Sequence, residues 1–416
     1  MSTWNEYSYF LLRSFRNITV KNLGGANLKK IAMVLVTILL INSKLTFIAY
    51  ADPTAGAPTL SSEAAILLDQ KTGQVLYEKN STAQMYPASL TKVATAIYAI
   101  EKGNLDDIVT VSSKARNVEG TRVYLAEGEQ ISLKKLLQGL LINSGNDAGI
   151  AIAEHLDGSV RNFSENINEY LKTEIGVQDT NFVNPHGLFD PNHVTTAEDI
   201  ARITQYAMKN ETFREIMSIK ELDWTGEAWS TTLYNHHKLM REIPYEGITG
   251  GKTGYVDQSG QTLVTTAERG NLSLIAVTLK GNTQTEAYND TIELLDFGFE
   301  NFKTTQIVKG KKFESEAGVP FLATKNLNYT QMKTGDVKLE VTNDGTLTVV
   351  QSNEALNTSF QLKEVKQNTA VASSKASSPD RDQEQIPFTS NISFYFFMLI
   401  IVLGVFGMVY TRVLKR

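Results

Sequence analysis

The sequence predicts an α+β fold: an antiparallel sheet flanked by helices, followed by a small all-β C-terminal domain and a C-terminal transmembrane helix. Three observations carry this. Short apolar runs bracketed by turn residues occur near the start of the body and again after Gly251, while the stretch between them keeps its apolar residues at helical spacing. Strands, then helices, then strands that must rejoin the first ones make one sheet with helices beside it. Beyond Phe302 the texture changes to brief alternating segments, and a long uncharged apolar run closes the chain.

Composition sets outer limits. The 416 residues include no cysteine, 20% are charged and 42% hydrophobic, and the formal net charge is -5. A disulfide scaffold, a thiolate enzyme and a cysteine-built metal site are excluded. The average is that of a globular protein rather than of a disordered or polytopic one. A mildly acidic chain of this kind carries no nucleic-acid signature, so no nucleic-acid partner is expected.

Taken in order, Lys29-Lys30 precede an uncharged apolar run over 31–41, and Ala49-Tyr50-Ala51 supply the small residues a signal peptidase inspects. Residues 1–51 are therefore read as a signal peptide, with an uncleaved N-terminal anchor as the minority reading. Residues 64–68 and 75–78 form a hairpin around a turn containing Gly73. From Ser89, apolar Leu90, Val93, Ala94, Ile97 and Ile100 mark a helix that ends at Gly103. Further helices are expected over 132–142, 147–155 and 196–209, strands over 261–266 and 272–279, and a closing helix over 291–299. The body thus spans 52–300. Alternating segments at 337–341 and 347–350, with a turn at Asn343-Asp344-Gly345, make 301–364 a small all-β domain. Residues 365–390 are a polar tether with little to bury. Residues 391–410 are long enough to cross the roughly 30 Å hydrocarbon layer. The basic tail 411–416 places its own side in the cytoplasm and the body outside the cell, with the membrane as a partner through that helix.

Three short motifs carry chemistry, and each has decoys. In Ser89-Leu90-Thr91-Lys92 one helical turn sets an amine beside a hydroxyl, which a desolvated lysine can deprotonate. Ser132-Leu133-Lys134-Lys135 has the same spacing and reads as a helix cap followed by a charged face. Ser144-Gly145-Asn146 falls in a break between two helices, whereas Ser164-Glu165-Asn166 lies within a polar helical stretch. Lys252-Thr253-Gly254 follows Gly250-Gly251 and leads into a strand, whereas Lys71-Thr72-Gly73 and Lys333-Thr334-Gly335 lie in turns. In a strand, Gly254 lets a substrate backbone approach, Lys252 supplies positive charge and the amide of Tyr255 is free to meet an oxyanion. Individually these signals are weak. Their order and contexts agree with the S-x-x-K, S-x-N and K-T-G set.

On these motifs and their flanks, 85–92, 141–148 and 247–254, together with Asn184-Pro185-His186-Gly187-Leu188, the chain resembles the serine-type D-alanyl-D-alanine carboxypeptidases, the low-molecular-mass penicillin-binding proteins. The resemblance implies the penicillin-binding/serine beta-lactamase-like transpeptidase fold. It also implies removal of the terminal D-alanine from peptidoglycan stem peptides, with beta-lactam antibiotics as covalent inhibitors and no cofactor or metal. Carried over, Ser89 is the acylated nucleophile and Lys92 its base. Ser144 and Asn146 relay a proton and hold the substrate amide, Lys252 sets the electrostatics, and Thr253 binds the substrate carboxylate. The amides of Ser89 and Tyr255 form the oxyanion hole. Two departures stand out: residues 282–290 hold no basic residue where many relatives have one, and Tyr255 stands where some have histidine. His186 is read as a turn residue, and His236-His237 as a surface or packing feature on a strand. A beta-lactamase of the same fold is the alternative enzyme, and no E-x-x-L-N segment between Ser144 and Lys252 supports it. A non-catalytic anchored surface-binding protein would leave the three motifs as coincidence.

Overall fold

The structure is a computed structural model and describes residues 56–365. The expected export signal, the spanning helix, the basic tail and all but the first residue of the tether lie outside the described residues. Among the described residues no helix is long and apolar enough to cross a membrane.

The chain opens with the hairpin of β1 (Ala64–Asp69) and β2 (Val75–Lys79). A 3-10 turn, Ala88–Leu90, runs into α1 (Thr91–Lys102). Next come β3 (Ile108–Thr110), α2 (Ser113–Arg116) and β4 (Gln130–Ser132), the two strands pairing with each other. The helical middle follows: α3 (Leu133–Ile142), α4 (Asn146–Asp157), α5 (Val160–Tyr170), α6 (Ala197–Ala207) and α7 (Glu211–Met217). A second hairpin, β5 (Glu221–Thr225) and β6 (Ser230–Tyr234), and short α8 (Lys238–Arg241) lead to three long strands. These are β7 (Ile248–Val256), β8 (Gly260–Arg269) and β9 (Leu272–Gly281), and α9 (Gln284–Asn301) closes the body.

Five strands form one antiparallel sheet in the order β2-β1-β9-β8-β7. Alternate residues face opposite ways along a strand. Ala64, Ile66 and Leu68 therefore join Ile275, Val277 and Leu279 in the core shared with the helical middle. Ala65 and Leu67 join Leu274 and Ala276 against Leu294, Leu295 and Phe299 of α9. A sheet covered on both faces needs apolar residues at every position, which is why β1 reads as a continuous apolar run.

Local sequence explains the helix starts. Ser132 caps α3 by accepting from Lys135 N at 3.3 Å, and Thr196 caps α6 by accepting from Asp199 N at 3.0 Å. Helix α9 begins at Gln284 rather than at the expected residue 291, behind a Thr283/Glu286 capping box. Its first turn is polar and exposed, so apolar spacing reveals the helix only further along. The β5–β6 hairpin was not anticipated, because each of its strands buries a single residue, Trp224 or Leu233.

From Phe302 onward come β10 (Phe302–Ile307), β11 (Lys312–Glu314), β12 (Pro320–Leu322), β13 (Leu327–Met332), β14 (Val337–Val341), β15 (Thr346–Gln351), β16 (Thr358–Gln361) and β17 (Lys363–Glu364). They enclose a core of their own around Phe321, Leu327, Tyr329, Leu347 and Val349. Asp69, at the end of β1, ties this part to the sheet. Its buried carboxylate accepts from Thr304 Oγ1 at 2.6 Å, Thr330 Oγ1 at 2.7 Å and Lys71 N at 2.9 Å. Thr72 and Thr330 hydroxyls are 2.6 Å apart. The Lys71-Thr72-Gly73 decoy is thus part of a joint between the sheet and the strand-rich end.

Replacing Asp69 by Ala removes this acceptor from two buried hydroxyls, Thr304 and Thr330, and from the part-buried Lys71 N–H. Each such loss costs roughly 1–3 kcal/mol, so a destabilisation of about 3 kcal/mol is expected, read as a lower urea midpoint. A midpoint equal to that of the wild type would show that the carboxylate is not the joint.

Candidate active site

The 3-10 turn at Ala88–Leu90 lies against β7 and β8, and its position follows from what presses on it. Thr262 Oγ1 of β8 donates to Pro87 O at 3.0 Å. Gly254 of β7, directly opposite Thr262 in the register, has no side chain to keep the turn away. A Cβ there would lie 2.5 Å from Thr262 Oγ1 and 2.8 Å from Ser89 N. Ser89 was expected to open the helix. It stands instead in the middle of the 3-10 turn, and α1 starts at Thr91.

Lys92 is fully buried, and its Nζ contacts Ser89 Oγ at 2.8 Å, Asn146 Oδ1 at 2.8 Å and His186 O at 2.6 Å. Asn146 Oδ1 and the His186 carbonyl are acceptors only, whereas the serine hydroxyl can both give and take. An ammonium satisfies all three by donating. A neutral amine satisfies all three by donating to the two acceptors and receiving the serine proton. Neither state leaves a buried polar atom stranded. Burial, and then the neighbouring Lys252 ammonium, hold the Lys92 amine well below the usual lysine range.

Asn146 is the first residue of α4, and its Nδ2 donates to Glu119 O at 2.7 Å. Both ends of the amide are engaged, so its orientation toward Lys92 is fixed. Ser144, in the loop between α3 and α4, is held at a φ of 62°. Its hydroxyl finds no hydrogen-bond partner among the described residues. The adjoining Asp147 is a further residue of the site, outside the eight singled out in the sequence. Its buried carboxylate accepts from Val123 N at 3.0 Å, Leu125 N at 3.1 Å and Ala148 N at 3.0 Å, pinning the 121–125 segment beside the loop. Burial pushes this carboxyl up even against those bonds. An acidic residue in the first turn, directly ahead of the apolar run 148–153, was the available signal.

Strand β7 is an edge of the sheet, with β8 on one side only. Val256 turns its N and O toward the β7–β8 turn, bonding Ser259 Oγ and Ser259 N at 3.0 Å each. In an antiparallel strand successive residues point their backbone groups to opposite sides. The amides of Thr253 and Tyr255 therefore face the open edge. The Tyr255 side chain is exposed and donates to Asp257 Oδ1 at 3.0 Å, which raises its hydroxyl pKa, so it is the backbone of this residue that borders the cleft. Lys252 is buried, donates to Thr253 O at 2.8 Å, and is lowered by burial to about 7.

Of the eight residues singled out in the sequence, Ser89, Lys92 and Asn146 are directly bonded and Gly254 touches the backbone of Ser89. Ser144, Lys252, Thr253 and Tyr255 stand on the two flanking elements without a direct bond to that triplet. The decoys fall elsewhere: Ser132 is a helix cap, Ser164 donates to Val160 O within α5, and Lys333-Thr334-Gly335 lies between β13 and β14. His186 is a turn residue, as expected, but its carbonyl is one of the three oxygens on Lys92. His237 corrects the strand reading. It follows β6 as the residue before α8, fully buried beneath Gly251, where a Cβ would sit 2.3 Å from its ring.

A family model described as D-alanyl-D-alanine carboxypeptidase matches residues 51–283. The chain belongs to this family. Its match to D-alanyl-D-alanine carboxypeptidase DacF of Bacillus subtilis is 34% identical over 255 residues, 60% of this chain and 64% of that one. DacA of Haemophilus influenzae is 33% identical over 283 residues, 63% of this chain and 68% of that one. Among solved structures of the family, penicillin binding protein 5 from Haemophilus influenzae superposes with a TM-score of 0.64 at 27% identity, covering 74% of this chain and 97% of that one. Penicillin binding protein 6B from Escherichia coli gives 0.62 at 27% identity, covering 74% and 96%. The fold is the family's penicillin-binding, serine-hydrolase-like arrangement of helices on an antiparallel sheet.

Because Gly254 sets the distance between β7 and Ser89, Gly254→Ala is expected to slow acylation by penicillin about 100-fold, the scale of a 1 Å misplacement. Stopped-flow acylation with far-UV circular dichroism as the folding control checks this. An acylation rate within twofold of wild type would show that the close approach is dispensable.

Proposed function

We propose that the protein is a serine-type D-Ala-D-Ala carboxypeptidase that removes the terminal D-alanine from peptidoglycan stem pentapeptides, trimming the sites available for cell-wall crosslinking. Penicillins are proposed to acylate the same oxygen. The carrying observation is the fully buried Lys92 amine 2.8 Å from Ser89 Oγ, with its other contacts limited to acceptors. A lysine whose charged form is disfavoured by burial is more readily available as a base.

In this reading neutral Lys92 takes the Ser89 proton as Oγ attacks the carbonyl of the penultimate D-alanine. The oxyanion meets the amides of Ser89 and Tyr255, each such donor being worth roughly 2.7–4 kcal/mol. Ser144, with its unengaged hydroxyl, gives its proton to the leaving amine and is reprotonated by Lys92 with the proton taken from Ser89, and Asn146 keeps Lys92 in line. D-Alanine departs, and water cleaves the ester to return Ser89 to its free state. The peptide lies along the open edge of β7, where Gly254 leaves room for it. Thr253 and the Lys252 ammonium take the terminal carboxylate, since residues 282–290 offer no cation. The body is proposed to work outside the cell, exported by 1–51, held by the tether 365–390 and anchored by 391–410.

Two experiments test this. Mass spectrometry of stem pentapeptides incubated with the protein should show loss of one alanine, with Ser89→Ala inactive and unlabelled by fluorescent penicillin. Intact pentapeptide alongside a labelled wild type would refute the carboxypeptidase reading, and rapid release of hydrolysed penicillin would favour a beta-lactamase.

The second uses pH. Lys252 is charged below about 7 and loses its proton above it. The KM for an acyl-D-Ala-D-Ala substrate is therefore expected to rise as pH climbs from about 6 to 9, while Lys252→Arg, always charged, flattens the rise. A KM constant across that range would remove Lys252 from carboxylate binding.

A further inference from the structure

Behind the nucleophile lies a second set of buried polar groups that the proposed reaction does not use. His193 Nδ1 accepts from Val183 N at 3.0 Å. The proton of the neutral ring is therefore on Nε2, which lies 2.8 Å from Thr91 Oγ1 and donates to it. Thr91 Oγ1 in turn donates to Ala88 O at 2.9 Å. The chain of bonds runs one way, from His193 through Thr91 to the Ala88 carbonyl. Burial lowers His193 to about 3, so the ring stays neutral and the direction holds across the working pH range. The ring is also stacked on Phe182, with centroids 4.9 Å apart and planes at 17°.

The carbonyl at the end of this chain is confined from another direction. Ala88 has a φ of 47°, a region that non-glycine residues enter at a cost. A Cβ on Gly187 would fall 1.8 Å from Ala88 O, so the bare Cα of Gly187 packs directly against that oxygen. The peptide joining Ala88 to Ser89 is planar and trans, so fixing the carbonyl fixes the N–H at its other end, pointing the opposite way. That N–H belongs to Ser89. It has no acceptor among the described residues, and its nitrogen lies 2.8 Å from the position of a Cβ on Gly254, on the β7 side of the turn.

We propose that Thr91 and His193 are positioning residues that aim the Ser89 N–H into the oxyanion hole by holding the Ala88 carbonyl at the opposite end of the same peptide plane. They touch neither substrate nor reacting atoms. The inference rests on the acyl-enzyme reading and adds to it the part of the fold that keeps one of the two donors in place during attack.

The test compares Thr91→Val, Thr91→Ser and His193→Phe with wild type in the full-length protein, reading penicillin acylation and the infrared stretch of the acyl-enzyme ester carbonyl. Thr91→Val removes the hydroxyl at nearly constant volume. Its acylation rate constant is expected to fall about 10- to 100-fold with little change in the dissociation constant of the preceding complex, since the lost donor acts on the transition state. The ester carbonyl band should move to higher frequency, reporting a weaker hydrogen bond, which a change in global stability alone would not produce. Thr91→Ser should restore both readouts. His193→Phe, which keeps an aromatic ring on Phe182 and loses the bond to Thr91, should shift the band in the same direction by less. An unshifted band and wild-type acylation in Thr91→Val would overturn the assignment, as would failure of Thr91→Ser to rescue. If the wild type itself takes no label on Ser89, the acyl-enzyme reading fails, and this assignment with it.

Discussion

A lysine amine buried out of reach of bulk water is costly to keep charged, and much of this molecule can be understood as the setting that makes one tolerable. Lys92 sits at the start of α1, where its backbone neighbours are already committed to the helix, and its three oxygen partners come from three separate parts of the chain: the 3-10 turn, the start of α4 and the 184–188 turn. Each partner is held by something further out. Asn146 is tied to Glu119 O, and the 184–188 turn is clamped by Asn184, which accepts from Gly187 N at 2.7 Å and donates to Leu188 O at 2.9 Å. The amine thus specifies where three loops must meet, and in return they supply a site that accepts either of its protonation states. Such an arrangement favours proton transfer over stability, a trade commonly found where chemistry is done.

The second constraint is one of approach. The 3-10 turn that carries Ser89 can lie close against strand β7 only if the two backbones nearly touch, and glycine is the residue that permits this. Gly254 and Gly187 flank the same two residues, Ser89 and Ala88, each with a Cβ position already occupied by the 3-10 turn. At Gly251 the same reasoning applies to the underside of β7, which rests on the His237 ring. Because β7 is the last strand of the sheet, its outer backbone groups are left for a partner strand, and a peptide substrate is the natural candidate.

Much of this was legible in the sequence, and the parts that were not share a cause. The β1–β2 hairpin, α1, α3 and the β8–β9 pair declared themselves because apolar spacing and turn residues agreed. The three motifs were separable from their decoys by local context alone: helix cap, mid-helix or turn. Spacing could not show that Ser89 lies in a 3-10 turn, since serine and lysine three apart meet in either geometry. Nor could it show Asp147, His193 or Gly187 in their roles, because each acts on residues distant in sequence, through bonds to backbone that no periodicity records. The early start of α9 was hidden for the opposite reason: its first turn faces water and has no apolar signature.

The joint at Asp69 has a mechanical meaning. The strand-rich end is fastened to the tip of β1, and within the sheet β9 and β8 stand between β1 and β7. Load carried through the strand-rich end reaches the body through the Asp69 carboxylate on interior strand β1 and through the backbone of α9, which continues directly into β10. The edge that borders the cleft is therefore separated by two strands from the carboxylate that fastens the strand-rich end.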